Sequence, residues 1–214
     1  MTLFDRIFRR KRAAEEELLA QLMCLVDNDE YQNATLQAHL RDLLLIGAPL
    51  DELPDGDGPF GASSGNPIPV NGPIGELAYL SKLRTSAEER LLFHRLGSAA
   101  GSAAGSIDLY EAVTWSGSQW YLFYLDMYHP RRSRKAPDGF KIAGPSHFSG
   151  FSKACGNFPY DFPDHLAENQ GILQVAYISP ATTGKILGAS SFAPPESHVT
   201  RRTAALESIM GSLR

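Results

Sequence analysis

The chain has 214 residues with 43% hydrophobic and 21% charged side chains, which is enough apolar material for a sizeable core without disulfide or metal support. Its formal net charge of −4 argues against general nucleic-acid binding. No stretch approaches ~18 consecutive apolar residues, and basic residues 9–12 interrupt the first apolar run, so the sequence predicts neither a transmembrane span nor a secretory signal.

The two cysteines, Cys24 and Cys155, are far apart in the sequence and outside any CxxC or zinc-type spacing. We therefore expect two free thiols in a protein of the reducing cytoplasm. The same absence of recognised spacings predicts no bound metal and no cofactor.

Leucine and phenylalanine recur at helical spacing over residues 3–26, which predicts a helix. Its apolar and basic faces over residues 3–12 fit two alternatives. We favour packing on the body of the protein or on a partner, and the second alternative is contact with an anionic membrane surface. A further helix is predicted over residues 33–46, so that residues 1–47 form an N-terminal helical segment.

Residues 48–73 are rich in proline, glycine, aspartate and serine, and we predict an irregular loop or linker before an α+β domain of residues 74–214. Within this segment Gly56, Gly58 and Gly61 match the pattern GxGxxG. A dinucleotide site needs a strand before this pattern and a helix after it, and the sequence offers neither. The match is rejected.

Two aromatic-rich runs, residues 107–115 and 120–128, alternate like strands around a turn at residues 116–119, which predicts a β-hairpin. Other strands are expected at residues 91–96 and 172–178, and a C-terminal helix at 197–213. The run of small residues from 97 to 106 is typical of a flexible loop. The predicted fold is therefore α+β, with an antiparallel sheet centred on the 107–128 hairpin and with the N-terminal and C-terminal helices packed against it.

Two carboxylates in the predicted hairpin are candidates for chemistry. If Trp115 pairs with Trp120, Glu111 and Asp126 lie diagonally on one face at about 7–8 Å. That separation fits an acid/base pair, two metal ligands or a sugar site. The alternative, which we favour, is a structural ion pair with Arg95 from the preceding strand.

Two histidines lie at or near strand ends, His94 beside Arg95 and His129 shortly before Arg131. Histidine moves protons near neutral pH and arginine holds anions, so this combination fits phosphate binding or phosphodiester cleavage. The alternative is that each histidine is a hydrogen-bonded core residue.

Two functions follow from these patterns. The first is a non-enzymatic cytosolic binding protein, of adaptor or toxin-neutralising type, that engages a protein partner, possibly an acidic one, through a basic loop (residues 131–135) and nearby aromatic residues. Its binding residues would be Arg95, Tyr128, Arg131, Arg132, Arg134 and Lys135. The alternative is a small hydrolase or nuclease-like enzyme with catalytic candidates His94, Glu111, Asp126 and His129.

Overall fold

The computed structural model describes residues 3–100, 106–144, 147–173, 178 and 180–212. The helices are α1 (Leu3–Asp27), α2 (Asp29–Thr35), α3 (Ala38–Ile46), α4 (Gly72–Lys82), α5 (Phe162–Leu173), α6 (Pro180–Ala189) and α7 (Glu196–Ser212). The strands are β1 (Ile68–Pro69), β2 (Leu83–Thr85), β3 (Leu91–Ala100), β4 (Ser106–Thr114), β5 (Trp120–Asp126), β6 (Phe140–Ile142) and β7 (Gly150–Phe151). The α+β class is confirmed.

The main sheet has five strands in the order β1-β5-β4-β3-β7. Its three long strands are antiparallel, but β1 pairs in parallel with β5 and β7 pairs in parallel with β3. The prediction of a purely antiparallel sheet is therefore wrong. The physical reason is connectivity, because β1 and β7 join their neighbours through long segments rather than tight turns, and such segments permit parallel alignment. Strands β2 and β6 form a separate antiparallel pair.

The register between β4 and β5 differs by two residues from the one predicted. Trp120 lies opposite Val113, and Leu122 lies opposite Glu111. Trp115 leaves the ladder because its backbone N–H donates to the carbonyl of Arg90. Thr114 closes the turn instead, and Gly117 adopts a positive φ of 75° within it. A shift of two residues leaves every side chain on its predicted face.

The sheet is covered on both faces. On one face Leu109 and Leu122 pack against Ile209 of α7. On the other face the side chains of Tyr110, Phe123 and Leu125 join a core that also contains residues of α1 and α4. The C-terminal helix thus contacts the sheet as expected, and its Met210 is 61% exposed.

The N-terminal helices follow from local capping. The chain leaves α1 at Asn28, whose side chain accepts a hydrogen bond from the Tyr31 N–H at 2.9 Å and so caps α2. The helix predicted over residues 33–46 is divided in two at Leu36, which has an extended backbone and a buried side chain. The side chains of residues 3–12, on which the membrane-surface alternative depends, lie outside the described ones.

Several other sequence predictions need correction. Residues 97–100, expected in a flexible loop, extend β3 after a bulge between Arg95 and Gly97. Of the strand expected at 172–178, Ile172 and Leu173 are helical, and residues 174–177 lie outside the described part of the chain. Helix α5 continues through these two residues. The sequence pattern did not predict this, because a short apolar run does not distinguish a strand from a helix.

The segment 48–73 is hydrogen-bonded to the sheet. It contains β1, and the Tyr124 N–H donates to the Gly61 carbonyl at 2.9 Å. Backbone hydrogen bonds therefore hold the part of this segment that lies next to β5, the strand that leads into the basic loop. Across the described residues, no helix has both the length and the apolar character needed to cross a bilayer.

Candidate functional site

Glu111 lies at the centre of a buried polar network between β4, β3 and α7. Its carboxylate is 0% exposed and faces three donors. His94 Nε2 lies 3.1 Å from Oε2, His198 Nε2 lies 3.0 Å from Oε1, and Arg202 Nε lies 3.0 Å from Oε2. The sequence identified Glu111 and His94 as candidates, but His198 and Arg202 were missed because they come from the distant C-terminal helix.

The proton positions in this network follow from the partners of His94. The backbone N–H of Cys155 donates to His94 Nδ1 at 3.0 Å, so this nitrogen carries no proton. His94 is therefore held as the tautomer that donates from Nε2 to Glu111. His198 also donates through Nε2, while its buried Nδ1 has no hydrogen-bond partner among the described atoms. Glu111 is thus an acceptor with both oxygens occupied.

The charge state of Glu111 is set by two opposing effects. Desolvation by itself raises the pKa of this carboxyl group, but the hydrogen bonds from His198 and His94 and the charge of Arg202 outweigh it and lower the pKa to about 2. An ionised carboxylate whose two oxygens both accept hydrogen bonds links α7 to the sheet. It is poorly suited to take up a proton at neutral pH.

Asp126 and His129 form a second, separate pair. Asp126 lies opposite Ile107, four residues along β4 from Glu111, which places the two carboxylates about 13 Å apart by strand geometry. The predicted diagonal contact at 7–8 Å is therefore wrong, because it depended on the shifted register. His129 Nε2 lies 3.3 Å from Asp126 Oδ2, and its Nδ1 donates to the Ala48 carbonyl at 2.9 Å.

Both ring nitrogens of His129 face acceptors, and this arrangement favours the imidazolium ion. Burial opposes the charge, but the hydrogen bonds to Asp126 and Ala48 prevail and raise the pKa of His129 above its ordinary value of 6.5. We expect an NMR titration of the imidazole to show this raised pKa, and Asp126→Asn to lower it. The stabilisation is fully present below pH 6.5 and is lost as the pH rises through the raised pKa. A measured pKa at or below 6.5 would contradict the arrangement.

Arg95 does not pair with Glu111 or Asp126, as the favoured alternative proposed. It pairs with Asp108 on the opposite face of the sheet, through Nε at 2.8 Å from Oδ2 and through Nη2 at 2.8 Å from Oδ1. Next to this pair, the Tyr110 hydroxyl donates to Glu76 Oε2 of α4 at 2.8 Å. Glu76 Oε1 is buried without a hydrogen-bond partner among the described atoms.

The two carboxyl groups of this second cluster have different charge states. Desolvation and the charge of Asp108 raise the pKa of Glu76 well above its ordinary range, while Arg95 compensates Asp108 directly. Sequence reasoning missed the cluster. A signal was present, since Glu76 is the acidic residue in the otherwise apolar run at residues 73–80.

The basic loop is largely neutralised by acidic residues of the N-terminal half of the chain. Arg131 Nη1 lies 2.7 Å from Asp51 Oδ1, and the Arg132 side chain is buried, with Nε 2.5 Å from Asp29 Oδ1. Lys135 pairs with Glu52 and lies over the Phe60 ring. The remaining predicted binding residue of this region, Tyr128, is half-buried at the end of β5.

Arg134 differs from the other cations of the loop. Its backbone N–H donates to Asp51, but its guanidinium is exposed and forms no hydrogen bond or ion pair among the contacts described. It borders a cleft of about 330 Å³. The cleft is lined by Asp27, Asp29, Tyr79, Lys82, Arg132, Ser133, Arg134 and Ile142.

A further group of side chains has the chemistry of metal ligands. Cys155, Asp161 and His165 each present one ligand atom, and these three atoms lie within 4.8 Å of one another. The group lies at the start of α5, where Asp161 and His165 are four residues apart on one face of the helix. The sequence spacing gave no indication of it because Cys155 comes from the preceding loop.

Comparisons of the chain with protein-family models, with curated proteins and with solved structures found no match. The function therefore has to be inferred from the side chains themselves.

Proposed function

We propose that the chain is a non-enzymatic cytosolic binding domain, of adaptor or toxin-neutralising type, and that it engages a protein partner at the cleft beside the basic loop. The observation that carries this proposal is the state of Arg134. It is the exposed cation of a loop whose other basic side chains have acidic partners within the protein.

The partner expected at this cleft presents an acidic side chain with an apolar neighbour. The acidic group would meet Arg134, and the apolar group would contact Tyr79 and Ile142 in the cleft wall. The ion pairs Lys82–Asp27 and Arg132–Asp29 fix the remainder of the wall, so the surface needs little rearrangement before binding. Such a mixed surface favours selectivity between partners over raw affinity.

The hydrolase or nuclease-like alternative required His94, Glu111, Asp126 and His129 to share one open site. The first two lie in the Glu111 network, and the last two form their own pair about 13 Å along the sheet. This separation leaves the alternative without a common site, and binding is the function that we carry forward.

We expect the partner to be captured by a photoreactive amino acid placed at Ile142 in the cleft, and not by the same residue placed at Lys185 on the exposed side of α6. With the captured partner purified, Arg134→Glu should weaken binding by about tenfold, because it puts like charges in contact. Isothermal titration at two salt concentrations measures both the affinity and its electrostatic part.

Lys185→Glu is the matched control, since it reverses an exposed charge away from the cleft. The whole loop is not a suitable target, because removing Arg132 would leave Asp29 and the Val26 carbonyl without their donor and would destabilise the fold. Equal affinities for Arg134→Glu and Lys185→Glu would exclude the cleft as the binding surface.

A further inference from the structure

The first turn of α5 and the loop before it hold three side chains of different ligand chemistry. Cys155 is buried, whereas Asp161 and His165 are half-buried, so the group lies at the edge of the core with one side towards solvent. A thiolate, a carboxylate and an imidazole are the three protein ligand types that zinc accepts.

The distance between two of the three side chains fits a tetrahedral metal site. His165 Nε2 lies 3.5 Å from Asp161 Oδ2. Two oxygen or nitrogen ligands at the usual 2.0–2.1 Å from zinc are separated by about 3.4 Å along a tetrahedral edge. This separation is too long for a strong hydrogen bond between the two side chains and fits two ligands of one ion.

An independent observation also points to a ligand at this place. Asp161 Oδ2 accepts a hydrogen bond from the Asn157 N–H at 2.8 Å, but the other oxygen, Oδ1, is buried and has no hydrogen-bond partner among the described atoms. A buried carboxylate oxygen without a donor is costly. A cation bound by both oxygens of Asp161 would satisfy Oδ1 as well as Oδ2.

We propose that Cys155, Asp161 and His165 bind a zinc ion, with the fourth position open to water. Binding forms a bond between the metal and the Cys155 sulfur and releases the thiol proton to solvent. Three protein ligands with one open position are the pattern of an exchangeable zinc site rather than a closed structural one.

The loop that carries Cys155 is fixed by the surrounding structure. The backbone N–H of Cys155 donates to His94, so the loop that carries the sulfur is attached to the Glu111 network. The site is therefore built on fixed elements on both sides.

The test is a titration of the purified, metal-free protein with Co²⁺, followed by displacement with Zn²⁺. We expect one equivalent of Co²⁺ to produce the thiolate-to-cobalt charge-transfer band and the visible bands of a tetrahedral ion, and Zn²⁺ to remove both. Cys155→Ser should abolish the charge-transfer band, whereas Cys24→Ser should retain it, because Cys24 is the exposed cysteine of α1.

Asp161→Asn keeps the acceptor for Asn157 and separates loss of metal from loss of fold. It should retain the near-ultraviolet circular dichroism of the parent and lose the tetrahedral bands. Glu168→Gln should retain the bands, because Glu168 Oε2 lies 3.6 Å from His165 Nδ1, which is too far for a hydrogen bond. No cobalt bands in the parent protein, or bands that persist in Cys155→Ser, would overturn the proposal without affecting the binding function at the cleft.

Discussion

Glu111→Ala is expected to lower the free energy of unfolding by about 3–5 kcal/mol, because it removes the acceptor of two buried, donating histidines and the counter-ion of the half-buried Arg202. Urea denaturation followed by fluorescence and circular dichroism measures the loss. Glu111→Gln should lower the free energy of unfolding by less, since the amide oxygen of glutamine still accepts a hydrogen bond. The amide N–H can donate to Nε2 of His198 if that ring carries its proton on Nδ1, which has no partner among the described atoms.

Acid titration tests the same network. The pKa of Glu111 is lowered from 4.5 to about 2, so its contribution is present above pH 4.5 and is lost as the pH falls towards 2. The parent should lose about 3 kcal/mol over this range from this group alone, and Glu111→Ala should lack that component. Glu88→Gln, which removes an exposed partner of Lys141, is the control and should change stability by less than about 1 kcal/mol. A Glu111→Ala protein as stable as this control would refute the network.

Glu76→Gln is expected to stabilise the protein at pH 7 and above, by about 1 kcal/mol or more. The cause is that burial and Asp108 raise the pKa of Glu76, so the folded state favours the neutral acid. The contribution of Glu76 to stability is fully present below pH 4.5 and is lost as the pH rises through the raised pKa. At alkaline pH the ionised side chain therefore destabilises the folded state. Glutamine removes that cost, and its amide N–H lies beside the Asp108 carboxylate.

The matched variant in the same cluster is Asp108→Asn, for which we expect a loss of about 2 kcal/mol. It removes the carboxylate that holds Arg95 and Ser98, and the half-buried guanidinium then lacks a counter-ion. Stability curves of both variants against pH distinguish the two effects. If Glu76→Gln destabilised the protein at pH 8 as much as Asp108→Asn does, Glu76 would be an ionised partner rather than a neutral acid.

These opposite expectations also bear on function. If Glu76→Gln gains stability, the protein keeps this buried acid at a cost in folding free energy. Arg134 is an exposed cation beside three neutralised ones, and such a side chain contributes little to stability. In the Glu111 network, by contrast, both carboxylate oxygens accept hydrogen bonds, and a structural role explains the arrangement.

Local pattern predicted a substantial part of the fold. Helices α1 and α7 were predicted within about two residues at their ends, because long amphipathic periodicity is the most reliable signal in a sequence. The placement of Glu111 and Asp126 on one face did not depend on the register, since alternation assigns a face regardless of a two-residue shift. The register itself was not predictable, because it depended on a hydrogen bond from Trp115 to Arg90 of another segment.

The candidate sites show the same division. Sequence alone determined which side chains had suitable chemistry, including His94, Glu111, His129 and the basic loop. Only the tertiary structure decided their partners, because α7 brings His198 to Glu111 and the 48–52 segment brings Asp51 to Arg131 from about 80 positions away along the chain. The physical reason is that charge and periodicity are local properties, whereas a carboxylate acquires its pKa and its role from the donors that folding places around it.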